Sequence, residues 1–268
     1  MKKILLPTDF SEAAQVAIDY AIALFEKEKC TFFVLNAYQM APSAPTGKSD
    51  AQLMLKKLVS GLTETKKDNH QFEPIMVDNL ALEAIAATVA DKKVDFVVMG
   101  SKGATALAKT FMGSTAVSVV RHVNTCPIIT VPEGFGLQMP KKMIFANDLK
   151  KPIGTTALKV LKDLIKCHDI ALTMVYFDRG NAMNEEQKAN RKLYEDNFVG
   201  LKYRFEEVPL KTSISSAMKS MLSQRNDVDM VIFKKNRHSF FEKLLREPII
   251  RKVAFSAKIP LLILPDVE

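Results

Sequence analysis

The chain contains the same pattern twice, and that repetition limits what it can fold into. Lys2-Lys3-Ile4-Leu5-Leu6-Pro7-Thr8-Asp9-Phe10 returns as Lys141-Lys142-Met143-Ile144-Phe145-Ala146-Asn147-Asp148-Leu149. Val94-Asp95-Phe96-Val97-Val98-Met99 returns as Val228-Asp229-Met230-Val231-Ile232-Phe233, and Cys126-Pro127-Ile128-Ile129-Thr130-Val131-Pro132 as Ile259-Pro260-Leu261-Leu262-Ile263-Leu264-Pro265. The anchors keep their order and nearly their separations, which marks a tandem duplication. Glycines and a proline cluster at 133–140 and place the join there. The expected units are therefore 1–134 and 139–268, each large enough for its own core.

Within the first copy, short apolar runs at 3–6, 31–36, 72–77, 94–99 and 128–131 alternate with helix-length amphipathic stretches at 11–28, 50–68, 80–91 and 115–122. Ser11 and Asn79 stand where helix N-caps belong, because a short polar side chain there can accept from a first-turn N–H. The runs are almost continuously apolar rather than alternating, as strands covered on both faces must be. The pattern predicts an α/β chain made of two tandem doubly wound, five-stranded parallel-sheet domains, Rossmann-like in architecture. In such sheets ligands bind beyond the carboxyl ends of the strands, where the strand order reverses. Pro7-Thr8-Asp9 and Gly100-Ser101 lie at two of those ends.

Three glycines then follow the fourth apolar run at a particular spacing, Gly100-Ser101-Lys102-Gly103, nine further residues, and Gly113-Ser114-Thr115. Lacking a Cβ, Gly100 and Gly103 let the backbone turn and approach a ligand closely. Gly113, Ser114 and Thr115 then open a helix whose first N–H groups have no intrahelical partner, which suits an anion such as phosphate. The loop lacks the Gly-Lys-Ser/Thr ending of a P-loop, so it predicts nucleotide binding without strong hydrolytic machinery.

These residues resemble the universal stress protein family in its tandem two-domain form. The resemblance rests on Ile4-Leu5-Leu6-Pro7-Thr8-Asp9-Phe10-Ser11, on Asp95-Phe96-Val97-Val98-Met99-Gly100-Ser101, and on the Gly-x2-Gly-x9-Gly-Ser spacing of the family's ATP-binding branch. It implies an adenine nucleotide alpha hydrolase-like fold with a pocket for ATP, AMP or ADP in the first domain, with Mg²⁺ as a further candidate. Pro7, Thr8 and Asp9 would contact the adenosine part, and the backbone of Ala37 would meet the adenine edge. Met99, Gly100, Ser101, Lys102 and Gly103 would line the ribose and first phosphate, and Gly113, Ser114, Thr115 and Ala116 would hold the outer phosphates. Two residues depart from the family pattern: Asn36-Ala37 stands for His-Val, and Lys102 for His or Arg. In the second copy the glycines become Lys234, Arg237 and Glu247, which predicts a lapsed site kept as a structural partner. Such tandem chains resemble fused dimers, and two of them can pair again as a homodimer.

Other chemistry finds little support. His70, His122, His168 and His238 do not pair with Cys, Asp or Glu at ligand spacing, so no metal site is assigned. No Gly-x-Ser-x-Gly elbow is present. A slow ATPase or phosphotransferase would have to rely on Asp9 or Ser114, and no catalytic residue is assigned. An interaction module with a purely structural nucleotide is the other alternative. The net charge of +8 lies wholly in the second half, since residues 1–134 hold 14 Lys+Arg against 14 Asp+Glu. The basic stretch 234–246 includes Phe240 and Phe241 with Leu244 and Leu245 at helical spacing, which predicts packing rather than nucleic-acid stacking. The segment 39–50 reads as a loop beside the pocket, a candidate lid. No apolar run is long enough to span a membrane. The run after Lys2-Lys3 is cut by Pro7, too early for a secretion signal, so the chain is expected in the cytoplasm with Cys30, Cys126 and Cys167 reduced.

Overall fold

A computed structural model describes residues 1–38, 47–103, 112–178, 180–210, 213–235 and 259–265. The chain divides into two units, Met1–Leu137 and Gln138–Glu268. The first unit runs β1 (Lys2–Pro7), α1 (Glu12–Leu24), β2 (Cys30–Tyr38), α2 (Lys48–Glu64), β3 (His70–Asp78), α3 (Ala81–Lys92), β4 (Phe96–Gly100), α4 (Ser114–His122) and β5 (Ile128–Val131). Its strands are parallel and lie in the order β3-β2-β1-β4-β5. The second unit runs β6 (Lys142–Asn147), α5 (Thr155–His168), β7 (Ala171–Asp178), α6 (Glu185–Asn197), β8 (Tyr203–Pro209), α7 (Ile214–Gln224), β9 (Met230–Lys234) and β10 (Leu261–Leu264). Its order, β8-β7-β6-β9-β10, is that of the first unit. Both are doubly wound parallel sheets, as the alternation of apolar runs and helices predicts, and each reverses beside its first strand.

The central strands explain the unbroken apolar runs. Ile4, Leu5 and Leu6 of β1 and all of β4 are buried, as are Met143–Asn147 of β6 and the whole of β9. The outer strand β3 instead mixes buried and exposed positions and carries Pro74, and the outer strand β8 ends on Pro209. A proline without an N–H is tolerated at such an edge, and the proline of the central strand β1, Pro7, stands at that strand's end. Helix α1 buries Ala13, Ala14, Ala17, Ile18, Tyr20, Ala21 and Leu24, and the four alanines among them let it lie close on the sheet.

The repeat extends to single hydrogen bonds. The Asp95 carboxylate accepts the Lys3 N–H at 2.8 Å, and Asp229 accepts the N–H groups of Lys141 and Lys142 at 2.8 and 2.9 Å. After the first strand of each unit the chain turns through a left-handed residue, Phe10 at φ 63° and Leu149 at φ 56°. Such a conformation costs about 1–2 kcal/mol for a side chain with a Cβ. It is held by a side chain two residues back: Thr8 Oγ1 accepts the Phe10 N–H at 3.0 Å, and Asn147 Oδ1 accepts the Leu149 N–H at 2.9 Å.

Three local expectations need correction. Helix α1 ends at Leu24 rather than 28, because the chain tightens into turns in which Phe25 and Glu26 donate to Ala21 and Ala23 carbonyls. Asn79 does not cap α3; Leu80 holds that position, and Asn79 Oδ1 accepts the Leu80 N–H at 2.8 Å instead. The candidate lid at 39–50 gives way to helix α2 from Lys48, capped by Gly47, while 39–46 lies outside the described residues. The basic stretch beyond Lys235, with Arg237, Phe240, Phe241 and Glu247, also lies outside them.

Candidate functional site

The loop after β1 is built by short polar side chains. Thr8 is buried; its N–H donates to Leu35 O at 2.8 Å, and its carbonyl accepts from Asn36 Nδ2 at 2.9 Å. These bonds fasten the end of β1 to β2, beside Ala37, which is half-buried near the end of β2. Asn36 Oδ1 is buried without a hydrogen-bond partner, a departure from the rule that buried acceptors are paired. Asp9 projects from this loop and is exposed, and its Oδ1 accepts from the Ser11 N–H at 3.1 Å and from Ser11 Oγ at 2.5 Å. Ser11 in turn caps α1 by accepting the Ala14 N–H at 3.3 Å. The carboxylate is therefore aimed by the start of α1 and leaves Oδ2 turned toward Gly103.

The glycine loop meets Asp9 from β4. Met99 and Gly100 are buried in the last positions of that strand, paired with Thr130 and Val131 of β5. A Cβ on Gly100 would stand 2.9 Å from Ala13 O, so glycine is what lets α1 lie against β4. Ser101 is buried; its N–H donates to Val131 O at 2.8 Å, and its carbonyl accepts the Gly113 N–H at 2.7 Å. Lys102 is half-buried, with Nζ 3.8 Å from Glu133 Oε2. Gly103 is exposed, and a Cβ there would come to 2.8 Å from Asp9 Oδ2.

Gly113 then caps α4 and offers no side-chain hydrogen bond to its first turn. The leading N–H groups of a helix have no partner within it, and together they carry the positive end of the helix dipole. Ser114 and Thr115 are exposed at this opening, while Ala116 is buried and anchors it. Pro7, Thr8, Asp9, Ala37, Met99, Gly100, Ser101, Lys102, Gly103, Gly113, Ser114, Thr115 and Ala116 thus come from the carboxyl ends of β1, β2 and β4 and the start of α4. Among the described residues, no three His, Cys, Asp or Glu side chains stand together as a metal site. The arrangement can bind an anion.

Comparison with known proteins bears on the same residues. The model of the universal stress protein family matches residues 1–132. The first unit is a domain of that family. Two universal stress proteins of Methanocaldococcus jannaschii align with it, one at 26% identity over 48% of this chain and 81% of its own length, the other at 28% over 48% and 94%. A universal stress protein from Archaeoglobus fulgidus matches the whole architecture, with a TM-score of 0.69 at 17% identity over 98% of both chains. At that identity the likeness establishes the fold alone.

The second unit has the same strand order but no glycines at the equivalent positions. Lys234 takes the place of Gly100, and it is only 6% exposed, its Nζ donating to Pro152 O in the loop between β6 and α5. Gln187 Nε2 donates to Asp148 O at 2.9 Å, and Asn190 Nδ2 donates to Leu149 O at 2.8 Å. Both come from α6, which is fixed by a capping box between Asn184 and Gln187. Tyr176 stands where the first unit has Asn36, and Asn147 Nδ2 donates to Tyr194 Oη at 2.7 Å. The loop after β6 is therefore held by side chains of its own unit. The sequence signals the loss of the glycines but not the burial of Lys234, since a lysine after a strand ordinarily faces solvent.

A groove of about 420 Å³ lies elsewhere in the first unit, lined among others by Ile22, Leu62, His70 and Phe135. His70 opens β3, so this groove is at the amino-terminal side of the strands, away from the residues above. No helix among the described residues is long and apolar enough to cross a membrane.

Proposed function

We propose that the first unit binds an adenine nucleotide, ATP or its shorter relatives AMP and ADP, and that the chain is a cytoplasmic, nucleotide-dependent stress-response protein. One observation carries this reading: Gly103 brings Asp9 Oδ2 beside the start of α4, where Gly113 offers no side-chain cap, so a carboxylate and the leading N–H groups of a helix converge on one crevice. A carboxylate suits ribose hydroxyls, which donate, and helix N–H groups suit phosphate oxygens, which accept. A nucleotide presents both kinds of group at once. Asp9 would hold the ribose, with Thr8 and the Ala37 backbone toward the base. The start of α4 from Gly113 to Ala116, with Lys102, would hold the phosphates. The second unit contributes no nucleotide site, because Lys234, Gln187 and Asn190 hold the equivalent loop, so one nucleotide binds per chain.

Calorimetric titration of nucleotide-free protein with ATP and AMP tests the proposal. Saturable heat with a stoichiometry of one is expected at micromolar to millimolar ligand. Absence of heat throughout that range would sink it.

A further inference from the structure

Glu133 follows β5 after a single intervening residue, Pro132, and its carboxylate lies 3.8 Å from the side-chain nitrogen of Lys102. That distance is too long for a hydrogen bond, and Glu133 keeps 54% of its side chain exposed. An ion pair of this kind contributes little to stability. Its position is nevertheless fixed. Ser101, next to Lys102, is bonded to Val131 O, two residues before Glu133, and Ser101 O holds the Gly113 N–H at the start of α4. The Lys102 Cα itself lies 3.5 Å from where a Cβ of Gly113 would be. A negative charge is thus placed next to Lys102, a cation of the glycine loop, and near the helix start that would receive phosphate.

Resting on the nucleotide reading above, we infer that Glu133 sets the preference of this site among adenine nucleotides according to their phosphate charge. The argument is electrostatic. Lys102 has one ammonium to share, and a bound phosphate and the Glu133 carboxylate compete for it. The same carboxylate repels the phosphates directly, and the repulsion grows with each phosphate added. At a separation of roughly 9 Å in a water-like medium, each further unit of ligand charge weakens binding about twofold. Glu133 therefore disfavours ATP relative to AMP, and a nucleotide whose phosphates engage Lys102 releases Glu133.

The experiment is a titration of the full chain and of Glu133→Gln with AMP, ADP and ATP, at low ionic strength and with EDTA so that no cation masks the phosphate charge. Glu133→Gln keeps the shape and removes the charge. It should tighten ATP more than AMP by roughly fourfold, about twofold for each of the two extra charges, with ADP between them and the ordering compressed at high salt. Glu133→Asp should retain the wild-type ratio. Equal ATP affinities for wild type and Glu133→Gln, or an equal gain for all three nucleotides, would overturn the inference while leaving the pocket intact. Failure of every nucleotide to bind either protein would overturn the pocket itself and the inference with it.

Discussion

Asp9 Oδ2 lies 2.8 Å from the point where a Cβ on Gly103 would stand. The two residues are far apart in sequence, one after β1 and the other after β4, and their approach closes the crevice at the point where the strand order reverses. Glycine is needed at 103 for close approach and not for an unusual backbone angle, since its φ lies outside the left-handed region.

Gly103→Ala tests that approach. The methyl group would meet the far end of an exposed carboxylate, which can swing away, so the fold should be spared and the thermal midpoint nearly unchanged. The displaced Asp9 would no longer be aimed by Ser11. Losing a hydrogen bond to a charged group costs about 1.5–3 kcal/mol, so nucleotide affinity should fall roughly tenfold or more. Calorimetry beside thermal unfolding would check both halves, and unchanged affinity would remove Asp9 from the site.

Gly100→Ala should behave in the opposite way. Its methyl group would lie 2.9 Å from Ala13 O and 3.0 Å from Ala13 C, backbone atoms of α1 that cannot step aside alone. Overpacking of this kind costs about 1–3 kcal/mol, and the midpoint should drop by several degrees. Gly113 sits between the two cases. A Cβ there meets Lys102 Cα and Gly103 N at 3.5 Å, an ordinary contact, so Gly113→Ala should fold normally.

These three glycines show what the sequence makes legible. Their spacing and their place after an apolar run point to the crevice, and the repeat anchors point to two sheets of one topology. The sequence does not reveal that Gly100 and Gly103 are each required by a different neighbour while Gly113 is not, because Ala13 and Asp9 reach them only through the tertiary fold. The left-handed turns are equally silent. Phe10 and Leu149 are not residues that favour positive φ, and they adopt it because Thr8 and Asn147 capture their N–H groups. Asn79 misleads for a related reason: its side chain bonds to its immediate neighbour and yields the cap position to Leu80.

Alkaline pH should destabilise the protein through its buried thiols. Burial pushes Cys30 and Cys126 each up to about 12, from an ordinary value of 9.0. Between those values the unfolded chain loses a proton that the folded chain keeps. Stability is therefore full below about pH 9 and declines as pH rises toward 12. Denaturant titrations from pH 8 upward should show this slope, and Cys30→Ala with Cys126→Ala should flatten it. In native protein at neutral pH, alkylation followed by mass analysis should label Cys167, which is partly exposed, before either buried thiol.

Lys234→Met separates the two roles that a buried lysine can play in the second unit. Lys234 donates to Pro152 O and is almost inaccessible, so the substitution keeps its apolar stem and removes that donor. Pro152 is exposed, so water can take the lysine's place, and the cost is that of one lost hydrogen bond, about 0.5–1.5 kcal/mol, with a small fall in the thermal midpoint. If Lys234 merely stood in for a ligand, removing its ammonium would reopen a crevice, and calorimetry would then find two nucleotides per chain. Stoichiometry should instead stay at one. Gln187 and Asn190 still hold the carbonyls of Asp148 and Leu149, and methionine at 234 still places a long side chain where the first unit has a glycine. A second equivalent of bound nucleotide would show that the second unit retains a working crevice held shut by one charge.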